Sequence, residues 1–283
     1  MKTVPGRFFR FFSVAERIVD LFSPPQCIIC GALPEWAQDE FSAGGNQSDR
    51  LAICAECRKK IVLGEQWQCT RCGGPLTSPC PVTAGCGNCC RENFCFSSAI
   101  ALGVYRSPLS RQILSMKRER YGVLAFNLTQ LLCRERSARL QALRADMVVP
   151  VPMHPLRRFL RGTNPAEQIA RQIASFLELP CRTRLLSRSR WTLRQATLSG
   201  TLRRTNLLGA FQLRGSAAGI IREKKIILAD DVMTTGSTCN EIARVLLKGG
   251  AASVTPVVLA RAETTEGIPV PKAASETETA DRE

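Results

Sequence analysis

One run of residues combines an apolar start, two adjacent acids and several hydroxyl residues around a glycine. It reads IILADDVMTTGST and extends from Ile226 to Thr238. Acids at the carboxyl end of a parallel strand can accept hydrogen bonds from the vicinal hydroxyls of a ribose. Hydroxyls and successive N–H groups at the start of a helix can bind a phosphate, because that end of a helix carries partial positive charge. The run therefore predicts a site for a ribose 5-phosphate.

The residues assigned to this site are the two acids and the loop that follows them. They are Asp230, Asp231, Val232, Met233, Thr234, Thr235, Gly236, Ser237 and Thr238. Gly236 allows the backbone to approach a phosphate closely. The simpler interpretation is a capped helix after a buried strand, with a threonine cap and the acids in a solvated loop. Any single residue fits that interpretation, but the complete run favours the ligand site.

Cysteine pairs separated by two residues form the second pattern. They are Cys27/Cys30, Cys54/Cys57, Cys69/Cys72 and Cys86/Cys89. Two thiolates at this spacing can bind one tetrahedral ion when the turn between them folds back. A glycine follows the first and third pairs, and it allows a tight turn whose N–H groups donate to sulfur. This alternation predicts two ribbons in tandem, with the first four cysteines binding one Zn²⁺ and the last four binding a second.

Two alternatives to this ligand set stay open. The pairs can interleave, and Cys80, Cys90 or Cys95 can replace a ligand of the second ion. The chain has one histidine, and it lies outside the cysteine-rich part of the sequence. Nothing near the cysteines indicates the vacant coordination position of a hydrolytic zinc. We therefore expect both metals to be structural.

The charge of the chain is strongly positive, at +15, and the excess is uneven. Seven arginines and no acid lie between Cys181 and Arg204: Arg182, Arg184, Arg188, Arg190, Arg194, Arg203 and Arg204. Such a concentration is typical of proteins that bind nucleic acid or a phosphorylated small molecule, although a solvated basic surface is the simpler interpretation. Trp191 is the only aromatic residue in this tract, which argues against a platform for base stacking.

The two ends of the chain differ from its centre. In residues 1–24, basic residues interrupt short apolar stretches and no cleavage signal follows, so we expect an amphipathic leader helix rather than a signal peptide. No segment approaches the ~18 apolar residues of a membrane span. Clustered cysteines without a secretory signal indicate the cytoplasm and metal binding. Residues 262–283 are polar and acidic, which predicts a disordered tail.

The residues between these ends divide into two predicted domains. Residues 25–95 are rich in cysteine, glycine and proline, which predicts a double zinc ribbon ordered by metal. Residues 97–261 alternate strands (97–105, 147–151, 226–229, 253–260) with helices (108–116, 123–143, 165–177, 237–248), which predicts an α/β domain with a parallel sheet. We place loops over 152–162 and 230–236, and Pro256 restricts the last strand to an edge or a bulge. We also expect the sheet to have a core independent of the ribbons.

Together these motifs resemble the competence protein F (ComF) family, which includes DNA-utilisation proteins of Gram-negative bacteria. The run at Ile226–Thr238 resembles the phosphoribosyl pyrophosphate (PRPP) motif of type I phosphoribosyltransferases. Further shared features are the cysteine pairs, Tyr105, Lys117, Val149–Pro155, Arg161, Gly162, Asn164, Gln195, Arg203, Arg204, Asn206 and Gly209–Phe211. The similarity extends from about Pro25 to Arg261. It fails at Thr163, where the family usually has an aromatic residue, and at Pro165, where it usually has glutamine.

This resemblance implies a type I phosphoribosyltransferase-like fold, in which a parallel sheet with helices on both faces follows the Cys-rich zinc-ribbon module. It implies PRPP and Mg²⁺ as ligands, a pyrophosphate loop formed by Pro152, Met153, His154 and Pro155, and a flexible hood over Arg188–Arg204. Displacement at ribose C1 needs positioned charge. Asp230 and Asp231 would orient the ribose, and Lys117, Arg203 or Arg204 would neutralise pyrophosphate. His154 can transfer a proton, although a structural hydrogen bond is its simpler role.

The sequence leaves three functions open. The first is a ComF-type protein that uses PRPP and handles single-stranded DNA in natural competence, with DNA-uptake or recombination proteins as partners. The second is a metabolic phosphoribosyltransferase that acts on a nucleobase or an amine. The third is a non-catalytic PRPP sensor whose zinc ribbons bind DNA or protein. The basic tract and the cysteine pairs favour the first and the third, and the acidic pair predicts PRPP binding in all three.

Overall fold

The computed structural model describes residues 26–35, 51–76, 78, 85–87, 89–90, 92–118, 122–188, 209–215 and 217–263. The predicted leader helix over 1–24, the predicted hood beyond Arg188 and nearly all of the predicted tail lie outside these residues, as do Cys80, Arg203 and Arg204. Within the described residues, no helix is long and apolar enough to cross a membrane.

The strands of the described residues form two sheets. In chain order they are β1 (Ile100–Val104), β2 (Met147–Pro150), β3 (Leu186–Arg188), β4 (Phe211–Leu213), β5 (Lys225–Met233) and β6 (Ser253–Arg261). Strands β1, β6, β5 and β2 lie in that order in one parallel sheet, and β3 pairs with β4 in a short antiparallel ribbon. Because the four parallel strands end at the same edge, the residues that follow them are brought close together.

The helices connect the strands and cover the sheet. They are α1 (Ala55–Ile61), α2 (Leu109–Met116), α3 (Val123–Glu135), α4 (Ser137–Ala142), α5 (Pro155–Arg161), α6 (Pro165–Phe176), α7 (Ala217–Ile221) and α8 (Ser237–Lys248), with a 3₁₀ turn at Glu65–Trp67. Apolar residues recur every three or four positions in the longer helices, as at Cys239, Ile242 and Leu246 of α8. That spacing gives each helix one apolar face, which packs on the sheet.

Side chains alternate along the strands and therefore fill a core on each face of the sheet. Leu102 and Ile227 pack with α2, α3 and α6 on one face. Leu228 and Val258 pack with α7, α8 and the β3–β4 ribbon on the other face. Helices thus cover both faces of a parallel sheet, and the predicted fold class is confirmed.

The single helix predicted over 123–143 is wrong, because the chain leaves the helical conformation at Arg136, between α3 and α4 (φ −118°, ψ 17°). This arginine is 2% exposed. Its guanidinium donates hydrogen bonds to the carbonyl oxygens of Ala101 and Leu102, both at 3.0 Å. A charge buried this deeply persists only with such partners, so the break between the helices coincides with a polar anchor on β1.

Two of the predicted loops contain regular structure. The segment after β2 begins α5 at Pro155, a favourable position for proline because the first N–H of a helix has no intrahelical partner. The loop predicted to begin at Asp230 is shorter, since β5 continues through both acids to Met233. Pairing with β6 explains the longer strand, with Asp230 opposite Val258 and Met233 opposite Arg261.

Pro256 lies in a central strand, so the predicted restriction to an edge or a bulge is wrong. Strand β6 pairs with β5, where Pro256 lies opposite Leu228, and with β1 on its other side. The ladder to β1 begins only at the next residue, Val257, opposite Ile100. The Ala252 N–H donates to the Lys224 carbonyl beside β5, and because the side alternates along a strand, the nitrogen of Pro256 also faces β5. The β5–β6 ladder therefore lacks one hydrogen bond at Pro256, and the pairs from Ser253 to Arg261 hold the strand in place around this gap.

The cysteine-rich segment packs against the sheet and shares its core. Ile53 and Ile61 belong to the same group of buried residues as Leu102 of β1. The segment also covers β1, an edge strand of the sheet, because the Leu63 N–H donates to the Leu102 carbonyl at 3.1 Å. The expectation that the sheet has an independent core is therefore wrong.

Candidate functional site

The acidic pair, Asp230 and Asp231, lies at the carboxyl end of β5, where the parallel strands end. The Asp230 carboxylate accepts the N–H of Asp231 at 2.9 Å, and the Asp231 carboxylate accepts the N–H of Val232 at 2.8 Å. Both acids are partly exposed. The backbone of the strand thus orients two neighbouring carboxylates that solvent or a ligand can reach.

Lys117 lies within ion-pair distance of the acidic pair. It follows α2, and its Nζ lies 2.8 Å from Oδ2 of Asp231. Desolvation by the surrounding protein raises the pKa of Asp230 well above its usual range, and the negative charge of Asp231 raises it further. The surroundings therefore disfavour the ionised form of Asp230, and the Lys117 ammonium lies within ion-pair distance of Asp231. A protonated Asp230 can donate a hydrogen bond as well as accept one.

The phosphate loop, Thr234–Thr238, follows β5 directly and forms the start of α8. Gly236 precedes the helix with a left-handed backbone, φ +82°. The hydroxyls of Thr235 and Ser237 are 2.7 Å apart, and the Ser237 N–H donates to Thr235 Oγ1 at 3.4 Å. Helix α8 has 12 residues, so its aligned peptide dipoles direct partial positive charge at this loop. The hydroxyls, the N–H groups and the partial positive charge at this loop favour binding of a phosphate.

The segment predicted to bind pyrophosphate, Pro152–Pro155, lies beside the acidic pair. It connects β2 with α5, and β2 is the neighbour of β5, with the Val151 N–H donating to the Ala229 carbonyl at 2.9 Å. Asn164 supports the segment, because its side chain donates to the Val151 carbonyl and accepts the Ala166 N–H, both at 3.2 Å. The segment Pro152–Pro155 and the phosphate loop thus follow adjacent strands, β2 and β5, at the same edge of the sheet.

His154 has a structural role in this segment. Its Nδ1 accepts the N–H of Leu156 at 3.3 Å and so caps α5. This contact is the simpler of the two roles that the sequence allowed, and proton transfer by His154 stays a prediction. Neutralisation of pyrophosphate by Arg203 or Arg204 also stays a prediction, because both arginines lie outside the described residues.

Eight cysteines form two groups of four. Each group could hold a metal ion, and we call Cys27, Cys30, Cys54 and Cys57 the first metal site and Cys69, Cys72, Cys86 and Cys89 the second metal site. All four sulfur atoms of each group lie within 4.8 Å of one another, with the Cys30 and Cys54 sulfurs 3.7 Å apart in the first and the Cys72 and Cys86 sulfurs 3.6 Å apart in the second. A tetrahedral Zn²⁺ with Zn–S bonds of about 2.3 Å separates its ligands by about 3.8 Å. Both groups fit such an ion, and their sulfur atoms group as the tandem pairing predicts and not as interleaved pairs.

The two metal sites repeat one local structure. The Gly31 N–H donates to the Cys27 carbonyl at 2.8 Å, and the Gly73 N–H donates to the Cys69 carbonyl at 2.8 Å. Both glycines have positive φ, +76° and +69°, which other residues rarely adopt. The tight turns predicted from the glycines are therefore confirmed. Cys90 lies outside both groups and is exposed.

Hydrogen bonds favour ionisation of Cys27 in the first metal site and of Cys69 in the second. Burial opposes ionisation of Cys27, but backbone N–H groups, that of Cys54 first, donate to its sulfur and lower its pKa to about 7. Hydrogen bonds from the Cys72 and Cys86 thiols hold the pKa of Cys69 well below its usual range. Because metal binding must release the remaining thiol protons, the metal affinity of both sites depends on pH.

Two residues at the site were missed from the sequence. Arg261 is 2% exposed and donates to the carbonyl oxygens of Cys72 and Met233. Phe94 packs against the second metal site and against Gly236. A charged residue at the end of an apolar strand was a signal for Arg261, whereas nothing local distinguished Phe94.

A basic surface lies beside the β3–β4 ribbon. Arg182, Arg184 and Arg214 line a cavity of about 370 Å³ there, together with apolar side chains that include Leu185 and Ile220. All three arginines are exposed. The described part of the predicted basic tract thus forms a concave, positively charged surface.

Residues 160–275 match the family model described as the phosphoribosyl transferase domain. The chain is 32% identical over 213 residues to Competence protein F of Haemophilus influenzae, which covers 74% of this chain and 90% of that protein. It is 33% identical over 211 residues to DNA utilization protein YhgH of Salmonella typhimurium, with 71% of this chain and 87% of that protein covered. A solved glutamine PRPP amidotransferase from B. subtilis has a TM-score of 0.33 and 18% identity over 53% of this chain and 30% of that chain. The family model includes the acidic pair and the phosphate loop.

Proposed function

The chain belongs to the family of competence protein F and the DNA utilization proteins, and we propose that it binds PRPP at the carboxyl edge of its parallel sheet. One observation carries the proposal. The acidic pair and the phosphate loop follow one another on β5 and α8, and Lys117 lies 2.8 Å from Asp231. A pair of carboxylates followed by a phosphate cradle matches the vicinal hydroxyls and the 5-phosphate of a ribose ring.

The remaining parts of PRPP fit the neighbouring strand. With the ribose on the acidic pair, the pyrophosphate would lie near Pro152–Pro155, because β2 and β5 are adjacent in the sheet. Mg²⁺ would enter with PRPP, since carboxylate and phosphate oxygens are the ligands that it prefers. Asp230 and Asp231 are the residues of this chain that would hold it.

Transfer of the phosphoribosyl group would use the same geometry. Breaking the bond from ribose C1 to pyrophosphate leaves positive charge on the ring, so the site must orient the ring and balance charge rather than supply a nucleophile. Asp230 and Asp231 would hold the ring hydroxyls, and the ion pair with Lys117 would hold the Asp231 side chain in place. We propose a phosphoribosyltransferase-like protein on these grounds, with the acceptor to be identified by release of pyrophosphate in the presence of nucleobases, amines or DNA.

Calorimetric titration with PRPP and Mg²⁺ tests the binding site. Asp231→Asn keeps the size of the side chain and its hydrogen bond to the Val232 N–H but removes the charge. We expect its affinity for PRPP to fall about 10-fold or more, the usual effect of losing a charged hydrogen-bond partner. Its thermal unfolding should change little, because the side chain is partly exposed.

Asp146→Asn is the matched control for this titration. Asp146 precedes β2 and so lies at the opposite edge of the sheet, where it pairs with Lys224 at 3.1 Å. The control should bind PRPP as the wild type does. Equal affinity for PRPP in Asp231→Asn and the wild type would show that the acidic pair does not bind the ribose. Absence of PRPP binding by the wild type would contradict the proposed PRPP site.

Single-stranded DNA is a second candidate ligand, favoured by the cavity lined by Arg182, Arg184 and Arg214. Arginines on a concave surface suit the phosphates of a flexible strand. We propose that this surface binds the DNA backbone and that the protein acts in the uptake and use of DNA, with DNA-uptake or recombination proteins as partners. We further propose a cytoplasmic location, because two groups of thiols that suit metal are typical of a reducing compartment.

Replacing Arg182 and Arg184 together with glutamine should weaken binding of single-stranded DNA. The salt dependence of the affinity should flatten by roughly one unit for each phosphate that an arginine no longer neutralises. Fluorescence anisotropy at two salt concentrations measures both quantities. Replacing Arg111 and Arg144, two exposed arginines elsewhere, removes the same charge as a control. If both pairs weaken binding equally, the surface beside the β3–β4 ribbon is not the DNA site.

A further inference from the structure

Arg261, the last residue of β6, connects the second metal site with the strand that carries the acidic pair. It is 2% exposed. Its Nε donates to the carbonyl oxygen of Cys72 at 3.1 Å, and its Nη1 donates to the carbonyl oxygen of Met233 at 3.1 Å. Cys72 belongs to the second metal site, and Met233 immediately precedes the phosphate loop. Because a buried guanidinium must keep its partners, a shift of the turn at Cys72 moves the end of β5.

Phe94 connects the same metal site with the glycine of the phosphate loop. Its ring packs against the cluster that the four cysteines form, and a Cβ atom on Gly236 would lie 3.1 Å from its Cε1. Arg71 holds the ring on the side of the metal site. Its guanidinium carbon is 6.0 Å from the ring centroid, and its N–H groups donate to the Cys89 carbonyl at 3.0 Å and the Glu92 carbonyl at 2.7 Å. The ring is thus held between the second metal site and the turn before α8.

Asn240 attaches the first turn of α8 to the chain that follows the second metal site. Its Oδ1 accepts the N–H of Cys95 at 2.5 Å, and its Nδ2 donates to the Asn93 carbonyl at 3.3 Å. Its own N–H donates to the Gly236 carbonyl at 2.8 Å. The phosphate loop is therefore attached to the second metal site at its start by Arg261, in its middle by Phe94 and at its end by Asn240.

We propose that the second metal site is a positioning element of the phosphate loop, so that metal binding and PRPP binding stabilise each other. This inference rests on the proposed PRPP site. Without an ion the four thiols lose the bonds that order their turns, and Arg261 and Phe94 lose their anchors. Because coupling between two ligands is reciprocal, PRPP must strengthen metal binding by the same factor. The first metal site packs instead in the core with α2 and α3, where it supports the fold.

Phe94→Ala tests the coupling while leaving all eight cysteines in place. Elemental analysis should still find two zinc ions per chain, by the four-thiolate count of each site. We expect the amides of residues 234–240 to exchange hydrogen about 5-fold faster or more, and the dissociation constant of PRPP to rise about 5- to 150-fold, the usual range of coupling between sites. Exchange mass spectrometry and calorimetry measure these effects. The control Phe176→Ala removes a ring on α6 that is 41% exposed. It should change neither the amide exchange of residues 234–240 nor the dissociation constant of PRPP.

Release of zinc to a chelator gives the reciprocal measurement. Release should have two phases, one for each metal site. Saturating PRPP with Mg²⁺ should slow one phase about 5-fold or more, and Cys72→Ser should lack that phase. If Cys72→Ser fails to fold, Phe94→Ala identifies the phase instead, because PRPP should no longer slow it.

The outcomes separate this inference from the proposed function. Equal amide exchange and equal PRPP affinity in Phe94→Ala and the wild type would overturn the coupling. Faster exchange in Phe94→Ala, in a protein that binds no PRPP, would support the positioning of the loop by the metal site and overturn the PRPP site.

Discussion

At the scale of single residues, the acidic pair combines two carboxyl groups with different surroundings. Asp231 pairs with Lys117 at 2.8 Å, whereas desolvation and the charge of Asp231 raise the pKa of Asp230. A carboxyl group whose pKa is raised by folding opposes folding once it ionises. In the unliganded site, the ionised Asp230 carboxylate therefore lowers the stability of the protein, while it remains available to hydrogen-bond a ribose. Such a loss of stability is common at binding sites.

Asp230→Asn should stabilise the unliganded protein. Because the folded-state pKa of Asp230 lies above the unfolded one, its contribution to stability is favourable below the unfolded pKa and is lost as pH rises to the folded pKa. The gain from asparagine should therefore be absent near pH 3, grow as pH rises above about 4 and level off above the folded-state pKa. Thermal unfolding across this pH range measures it, and PRPP binding should weaken in the same variant.

Asp146→Asn should have the opposite effect, which makes it the control. The Lys225 N–H and the Lys224 side chain lower the pKa of Asp146, so its stabilising contribution is present above the unfolded pKa and is lost as pH falls through the folded pKa. Asparagine there should lower stability near neutral pH. A gain of the same size from both substitutions would indicate a general charge effect and not desolvation of the Asp230 carboxylate.

At the scale of elements, the edge strand β1 and the cysteine-rich segment fit together through a glycine. A Cβ atom on Gly103 would lie 2.0 Å from the carbonyl oxygen of Ile61, the last residue of α1. The helix can therefore reach β1 only where the strand has no side chain. Arg136 reinforces the contact by hydrogen bonds to the carbonyl oxygens of Ala101 and Leu102 in β1, and to that of Leu63 after α1.

Gly103→Ala should separate α1 from β1 and destabilise the protein by about 3 kcal/mol or more, the cost of forcing extra atoms into a packed region. Chemical denaturation measures this free energy of unfolding. Gly219→Ala, in α7, is the matched control, because a Cβ atom there meets nothing within 4 Å. The control should be neutral or slightly stabilising, since alanine favours a helix over glycine. A small effect at Gly103 would show that α1 can move away at little cost.

At the scale of the whole molecule, the two metal sites belong to different parts of one structure. Cys54 and Cys57 of the first site are buried in the core that includes β1 and α3. The second site forms a smaller cluster of its own, joined to the phosphate loop through Phe94. Loss of the first metal should therefore lower the stability of the sheet as well, because this site and the sheet share one continuous core.

Cys54→Ser should lower the stability of the entire fold. We expect the zinc content to fall from two ions to about one, and a single unfolding transition to shift down by about 10 °C or more. Elemental analysis and calorimetry measure these quantities. Cys90→Ser, at an exposed cysteine outside both metal sites, should keep both ions and the wild-type transition. Two separate transitions in Cys54→Ser, with the second unchanged, would mean that the sheet is stable without the cysteine-rich segment.

The sequence by itself determined the features whose chemistry lies within a few neighbouring residues. The run from Ile226 to Thr238 identified the acidic pair and the phosphate loop, because a strand, two acids and a glycine-containing helix start are consecutive in the chain. The spacing of the cysteines, with Gly31 and Gly73, identified the tight turns of the metal sites for the same reason. Apolar periodicity located most of the helices and strands, and with them the parallel sheet.

Only the tertiary structure decided the features that depend on contacts between distant segments. The packing of distant segments decides which cysteine pairs come together, the central position of β6 and the break at Arg136. Arg261 meets Cys72 across 189 positions of the chain. A residue's own sequence neighbourhood carries no record of such a partner, because burial and hydrogen bonding at that distance are set by how the sheet and the cysteine-rich segment pack together.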